Sequence, residues 1–240
     1  MRRALGAELS KLRTLPLTAY AAAGMVLVSA LIAAAFAGLR AEGGGAAAAV
    51  DTVLEAVPYA QAGAILLGVL SVSQEYAGRQ FRTTLVAVPR RMRVIAAKTS
   101  AALVLLFVVG TLSVAVAWLS AGLTFVVADA DAVAATAEDL ARLGGAVVYL
   151  VLIGLLAHAV TLVLRHLVPA LVTMLVVAYI LPFALTALGE NTRWLPTRAG
   201  SQLFSPDDAV LTAFTGALVL LAWAVTLGVA GAARFTFSDA

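Results

Sequence analysis

The chain contains no cysteine. Disulfides, thiolate metal sites and cysteine nucleophiles are therefore excluded, while the compartment stays open. Charge is scarce as well: 12% of residues are Asp, Glu, Lys or Arg, against about 25% in a soluble domain. Histidine occurs only at His158 and His166, too few for a His-rich metal site. No Lys follows a Gly anywhere, so the Gly-x-x-x-x-Gly-Lys-Ser/Thr phosphate loop is missing and the chain has no recognisable ATP site. His-Glu-x-x-His and the Gly-x-Ser-x-Gly nucleophile elbow are absent too, which leaves an intramembrane hydrolase unsupported. Catalytic, cofactor-binding and metal-binding residues are accordingly expected to be none.

What fills the chain instead is apolar. Of its 240 residues, 62% are hydrophobic, and the mean hydropathy is +1.02. A polypeptide of this kind cannot put charge on most of its surface, because most of its surface meets lipid. The expected class is an all-α polytopic membrane protein.

A hydrocarbon core of about 30 Å takes roughly 20 apolar residues of helix. Six stretches qualify: 17–39, entered through Pro16 at a first helical position, then 57–72, 99–127, 143–164, 167–188 and 209–233. The second is short, contains Gln61, and has an alternative start near Ala48. The fifth holds Pro169 and Pro182, the latter a site for a kink. Ala35-Phe36-Ala37 has the small-x-small form of a leader-peptidase site. The run before it is longer than the usual 7–15 residues of a signal sequence, so an uncleaved helix is expected.

Lys and Arg then set the orientation. Twelve of them (Arg2, Arg3, Lys11, Arg13, Arg79, Arg82, Arg90, Arg91, Arg93, Lys98, Arg165, Arg234) fall on one side of this six-span layout, and four (Arg40, Arg142, Arg193, Arg198) on the other. Twelve against four puts both termini in the cytoplasm. The net charge of +3 is thus a topology signal, with no nucleic-acid partner implied. In Met1–Pro16, Leu5, Leu9 and Leu12 share one helical face, with Arg2, Glu8, Lys11 and Arg13 mostly opposite, which predicts an amphipathic helix in the membrane interface.

The densest charge lies in Ser73–Arg93, SQEYAGRQFRTTLVAVPRRMR, with five arginines in 21 residues. An arginine at mid-bilayer costs about 2.5–3.5 kcal/mol even on a lenient scale, so this stretch is the main cytoplasmic connection. It is also patterned. Tyr76, Phe81, Leu85 and Val88 alternate with Glu75, Arg79 and Arg82, and Phe81 and Leu85 share a helix face. Pro89 breaks the pattern. Arg90, Arg91 and Arg93 follow at the phosphate level, and Lys98 is expected to snorkel back to the interface.

The block Ser73–Lys98 resembles the connection between spans two and three of ABC type-2 permeases, the membrane subunits of ATP-binding-cassette exporters. Glu75, Phe81, Arg82, Thr84, Leu85, Pro89, Arg90, Arg91 and Lys98 carry the likeness. Ala7–Pro16 (AELSKLRTLP) is similar to that family's N-terminal interfacial helix, and Trp194–Leu203 (WLPTRAGSQL) to its penultimate outer loop. The resemblance implies a cytoplasmic coupling helix in 73–98 that docks on a separate ATP-binding subunit, where ATP and Mg are held. Glu75, Tyr76, Phe81, Arg82, Thr83, Thr84 and Leu85 would form the transmission surface, and Arg90, Arg91, Arg93 and Lys98 would anchor lipid phosphates. It further implies a second membrane subunit, identical or related, outward transport, and residence in a bacterial-type cytoplasmic membrane.

Two other classes stand beside this one. An ion- or proton-coupled secondary transporter usually carries mid-membrane carboxylates and paired repeats; no Asp or Glu falls well inside the spans above, and no internal repeat is evident. A non-transporting anchor or sensor subunit is the third. His158, in span four, either faces a polar transport path or is hydrogen-bonded to a neighbouring helix. The outer connection Gly189–Asp208 carries Trp194, Leu195, Leu203 and Phe204 among polar residues, which predicts short re-entrant or interfacial helices there.

Overall fold

The computed structural model describes Gly6, Ser10 and residues 15–43, 47–77, 91–130, 132–208 and 210–237. Long helices dominate them. They are α1 (Pro16–Glu42), α2 (Ala49–Ala77), α3 (Arg91–Val127) and α4 (Ala137–Leu164). Then come α5 (Leu167–Leu175), a π-helical turn (Val176–Ile180) and α6 (Leu181–Ala184), which run on as one rod. A 3₁₀ stretch (Thr186–Trp194), the short α7 (Pro196–Ser201) and α8 (Ala213–Phe237) complete the order. Six segments are long and apolar enough to cross a membrane: Pro16–Glu42, Ala49–Gln74, Ile95–Val127, Ala137–Leu164, Leu167–Ala184 and Ala213–Arg234. They point to a multi-pass membrane protein. The N-terminal amphipathic segment, Gly6 and Ser10 apart, lies outside the described residues.

Helices α2 and α4 form the centre: 67% and 61% of their spanning windows are buried, against 17% for the fifth and sixth segments. α1 packs on α3 and α2, α8 on α4, and α5 on both α2 and α4. The sorting rule is size. Along α1 the inward face is Thr18, Ala21, Met25, Ser29, Ala33 and Ala37, while Leu17, Tyr20, Leu27, Leu31 and Leu39 point outward. Without a hydrophobic force between helices in lipid, close approach through small side chains does the packing.

The tightest crossing is α2 on α4. A Cβ added at Gly68 would land on the carbonyl oxygen of Gly154, and 3.1 Å from the Ala157 methyl. A Cβ at Gly154 would stand 2.5 Å from Leu106 Cδ2 of α3. Three helices therefore meet at two hydrogen atoms.

Several boundaries differ from the sequence expectation. α2 starts at Ala49, at the alternative start near Ala48 and not at 57, which places Asp51 and Glu55 in its first two turns. Both are neutralised there: Asp51 by Arg142 of α4 at 3.2 Å, and Glu55 by Arg40 at the end of α1. Arg142 also pairs with Asp139 at 3.5 Å and donates to the Phe204 carbonyl at 3.2 Å. The fifth rod ends as α-helix at Ala184, four residues early. Its π turn ends two residues before Pro182, whose ring would otherwise meet the carbonyl four residues back. Gly189 then adopts φ 58, ψ −131, a conformation reserved for glycine. α8 begins at Ala213 rather than 209.

α4 opens with a reciprocal capping box. Asp139 N–H donates to Thr136 Oγ1 at 3.2 Å, and Thr136 N–H to Asp139 Oδ2 at 3.0 Å. A two-residue parallel bridge, Ala47–Ala48 with Ala132–Val133, joins the α1–α2 and α3–α4 connections at the same end.

The described residues of 186–211 fold against that end. α7 buries Pro196, Thr197, Ala199 and Gly200, and glycine again permits it: Cβ atoms at Gly145 of α4 and Gly216 of α8 would strike the carbonyl oxygens of Leu203 and Ala199. Asp208 fixes the return to α8. Its Oδ1 accepts from Val210 N at 2.7 Å and Leu211 N at 3.3 Å, and its Oδ2 lies 3.7 Å from Arg193 Nε. The Val210 N–H above all holds this carboxyl below the usual carboxylate range; desolvation opposes it, and the Leu211 N–H and Arg193 add to the lowering. A depressed folded pKa contributes stability above the unfolded value, near 3.9, and the contribution is lost as pH falls through the folded one. The protection of the Val210 and Leu211 amides against hydrogen exchange, corrected for the intrinsic rate, should therefore hold from neutral pH down to about 4 and fall in stronger acid. Asp208→Asn should remove that acid step; an unchanged profile in the variant would assign the step to another group.

Candidate functional site

The close crossing of Gly68 and Gly154 sets up a buried polar cluster one turn further along both helices. Ser71 follows Gly68 by three residues and His158 follows Gly154 by four, so the two side chains face each other. Ser71 Oγ lies 2.7 Å from His158 Nδ1. Thr99 Oγ1 of α3 lies 3.2 Å from His158 Nε2. Ser71 Oγ also donates to the Gly68 carbonyl at 2.6 Å. A hydroxyl has one proton, so in the neutral ring Nδ1–H donates to Ser71 and Nε2 accepts from Thr99. His158 thus joins α2, α3 and α4 through both ring nitrogens. It is 2% exposed, and its ring borders a groove of about 370 Å³ between α3, α4 and α8.

Lys98 completes the cluster. It is 5% exposed, and its Nζ lies 3.5 Å from the Ser71 carbonyl. This corrects the expectation that Lys98 snorkels to lipid phosphates. It sits on the face of α3 that meets α2, so its stem runs into the bundle rather than along the lipid surface.

The two flanks of the 73–98 connection belong to the spanning helices themselves. Glu75 and Tyr76 lie in the last turn of α2, which runs to Ala77, past the expected end at Val72. Arg91 and Arg93 lie in the first turn of α3, which starts eight residues before the expected span. Phe81, Arg82, Thr83, Thr84, Leu85 and Arg90 lie outside the described residues. The structure therefore brings Lys98 and His158 together and sets Glu75 one turn beyond Ser71.

Sequence reading missed Ser71 and Thr99. Their signal was available: Ser71 and Ser73 interrupt an apolar run, and Thr99 and Ser100 follow Lys98 at the mouth of the next. Polar groups inside a membrane helix require partners, but nothing in a linear sequence says that His158, 87 residues from Ser71, is the partner.

His158→Leu removes both interhelical hydrogen bonds. Bonds of this kind in membrane bundles are worth about 0.6 kcal/mol on average and up to about 1.7, so a loss of roughly 1–2 kcal/mol is expected in a denaturation series. Thr99→Val should cost less in the His158→Leu background than in the native chain, because its partner is already gone. Strict additivity of the two would show that the Thr99–His158 bond contributes nothing.

The sequence matches no protein-family model and no curated protein. No group of three or more His, Cys, Asp or Glu residues that could hold a metal occurs among the described residues.

Proposed function

We propose that the chain is the membrane-spanning permease subunit of an ATP-binding-cassette exporter of the type-2 class. ATP and Mg are held by a separate ATP-binding subunit, and a second membrane subunit completes the translocation path. The 73–98 connection faces the cytoplasm, as do both termini, in a bacterial-type cytoplasmic membrane. This is the orientation favoured by twelve basic residues against four.

The observation that carries the reading is the join between the patterned block and the bundle. The block SQEYAGRQFRTTLVAVPRRMR leaves α2 and enters α3 without a break in either helix at its flanks. Helices are stiff, so a displacement that reaches the end of α2 at Ala77 or the start of α3 at Arg91 is carried into the bundle. Within the bundle the rods are held to α4 through Ser71, Thr99 and His158. His158 is then a positioning residue at the root of the coupling segment. Arg90, Arg91 and Arg93 meet the headgroups; Lys98 belongs to the internal cluster.

The test is a pull-down of the tagged chain from gently solubilised membranes, with ATPase activity measured on the eluate. A co-purifying ATP-binding subunit is expected, and Phe81→Ala with Arg82→Ala should release it while the chain stays folded and inserted. Recovery of the chain alone, folded and without ATPase activity in several detergents, would overturn the reading and return the arginines to a purely topological role.

A further inference from the structure

At the end where α4 and α8 stop, two arginines cap each other's helices. Arg165, in a left-handed conformation (φ 62) at the C-cap of α4, donates from Nη2 to the Arg234 carbonyl of α8 at 2.8 Å. Arg234 donates from Nη1 to the Val163 carbonyl of α4 at 2.9 Å. Cations at helix C-termini are favourable, which explains the exchange but not the surplus. Each guanidinium has five N–H donors and spends one on the partner helix. Arg165 Nε is buried and donates to nothing among the described residues. Neither arginine is ion-paired among the described residues, and no carboxylate of those residues meets the two positive charges.

An apolar groove starts beside them. It has a volume of about 280 Å³ and runs between α4, the π turn and α8, with Val160, Val163, Val177, Leu181, Trp223 and Leu227 among its walls. Arg234 follows Leu227 by seven residues and Trp223 by eleven, which puts all three on one face of α8. The Val163 backbone that receives Arg234 also belongs to the groove wall. The Trp223 indole N–H is already given to the Trp194 carbonyl at 3.1 Å, so it presents only its ring to the groove.

We propose that this is a binding site for one anionic phospholipid, with the headgroup phosphate on Arg165 and Arg234 and an acyl chain in the groove towards Trp223. The chemistry on each part is matched: two guanidiniums with no ion pair among the described residues, at the ends of two helices long enough to cross a membrane, and an apolar groove whose wall includes Val163, the residue that accepts from Arg234. The charge favours an anionic over a zwitterionic headgroup, since each basic residue near a membrane surface attracts anionic lipid by a factor of about five. The site stands independently of the transport reading above.

Trp223 reports on it. The full chain carrying Trp118→Phe and Trp194→Phe is reconstituted into phosphatidylcholine vesicles doped with lipid brominated on its acyl chain, either phosphatidylglycerol or phosphatidylcholine. Quenching of Trp223 is expected at a mole fraction of the brominated phosphatidylglycerol lower by about fivefold or more. Arg165→Gln with Arg234→Gln should bring the two curves together, Arg165→Lys with Arg234→Lys should largely keep them apart, and Leu227→Phe should weaken quenching by both. The lysine pair and Leu227→Phe keep the test informative if the glutamine pair does not fold. Equal quenching by the two lipids in the starting chain overturns the proposal. So does loss of the preference on adding inorganic phosphate, which would make this a free-anion site. Absence of quenching by either lipid also overturns it, since another protein surface would then cover the groove.

Discussion

Gly68→Val should leave little folded protein. The added Cβ lands on the Gly154 carbonyl oxygen, and backbone cannot rotate away as a side chain can. Overpacked cores typically lose about 1–3 kcal/mol, sometimes more, and here relief requires α2 and α4 to separate. Separation would also pull Ser71 from His158 and open the close contact of Gly154 with Leu106, so several losses arrive together. A loss above about 3 kcal/mol is expected, read as a collapse of the monodisperse peak and a large fall in thermal midpoint in detergent. Gly24→Val is the matched control, because a Cβ there meets nothing within 4 Å. If the two variants behaved alike, the crossing would not be the centre of the fold.

Tyr149→Ala should rank next. Tyr149 is 2% exposed on α4, donates to Gln61 Oε1 of α2, and packs its ring 5.2 Å from that of Phe204. It also fills the space above Gly200, where a Cβ would come within 2.7 Å of the ring. One side chain thus joins α2, α4, α7 and the loop before α8. Truncating a buried aromatic side chain to alanine costs about 3–5 kcal/mol, and that range is expected here. Tyr149→Phe separates the ring from the hydroxyl. It keeps the packing and leaves Gln61 Oε1 buried without its donor, at a cost of about 1–3 kcal/mol. Because the penalty lies in the stranded partner, Tyr149→Phe with Gln61→Leu should be closer to the native chain than Tyr149→Phe alone. Equal stability of Tyr149→Phe and the native chain would show that the hydrogen bond contributes nothing.

These two sites also show where sequence reading reaches its end. Gln61 and Tyr149 were each visible as a polar atom in an apolar run, and neither run says which one meets the other. The same holds for Arg142, whose three partners, Asp51, Asp139 and the Phe204 carbonyl, come from α2, α4 and the loop before α8. The second apolar stretch runs over 57–72 with an alternative start near Ala48, and α2 takes the earlier start, which brings in Asp51 and Glu55. They enter α2 because Arg142 and Arg40 neutralise them near its end. Lys98 was read outward for a related reason: snorkelling is the default for a lone lysine, and the default fails when the residue lies on a helix face that another helix covers.

The sequence by itself determined the number of helices apolar enough to cross a membrane, their rough positions and the crowding of basic residues into the connection after the second. Those features depend on local quantities, the length of an apolar run and the cost of charge in lipid, which each segment meets on its own. Which face of each helix turns inward was decided only by the tertiary structure. In water an amphipathic stripe would have announced it, but here lipid and protein interior are equally apolar and the stripe disappears. What sorts the faces is the fit of Gly68 to Gly154, of Ala33 and Ala37 to the α1 seam, and of Ser71 and Thr99 to His158. Those fits exist only between segments far apart in the chain, once the helices have met.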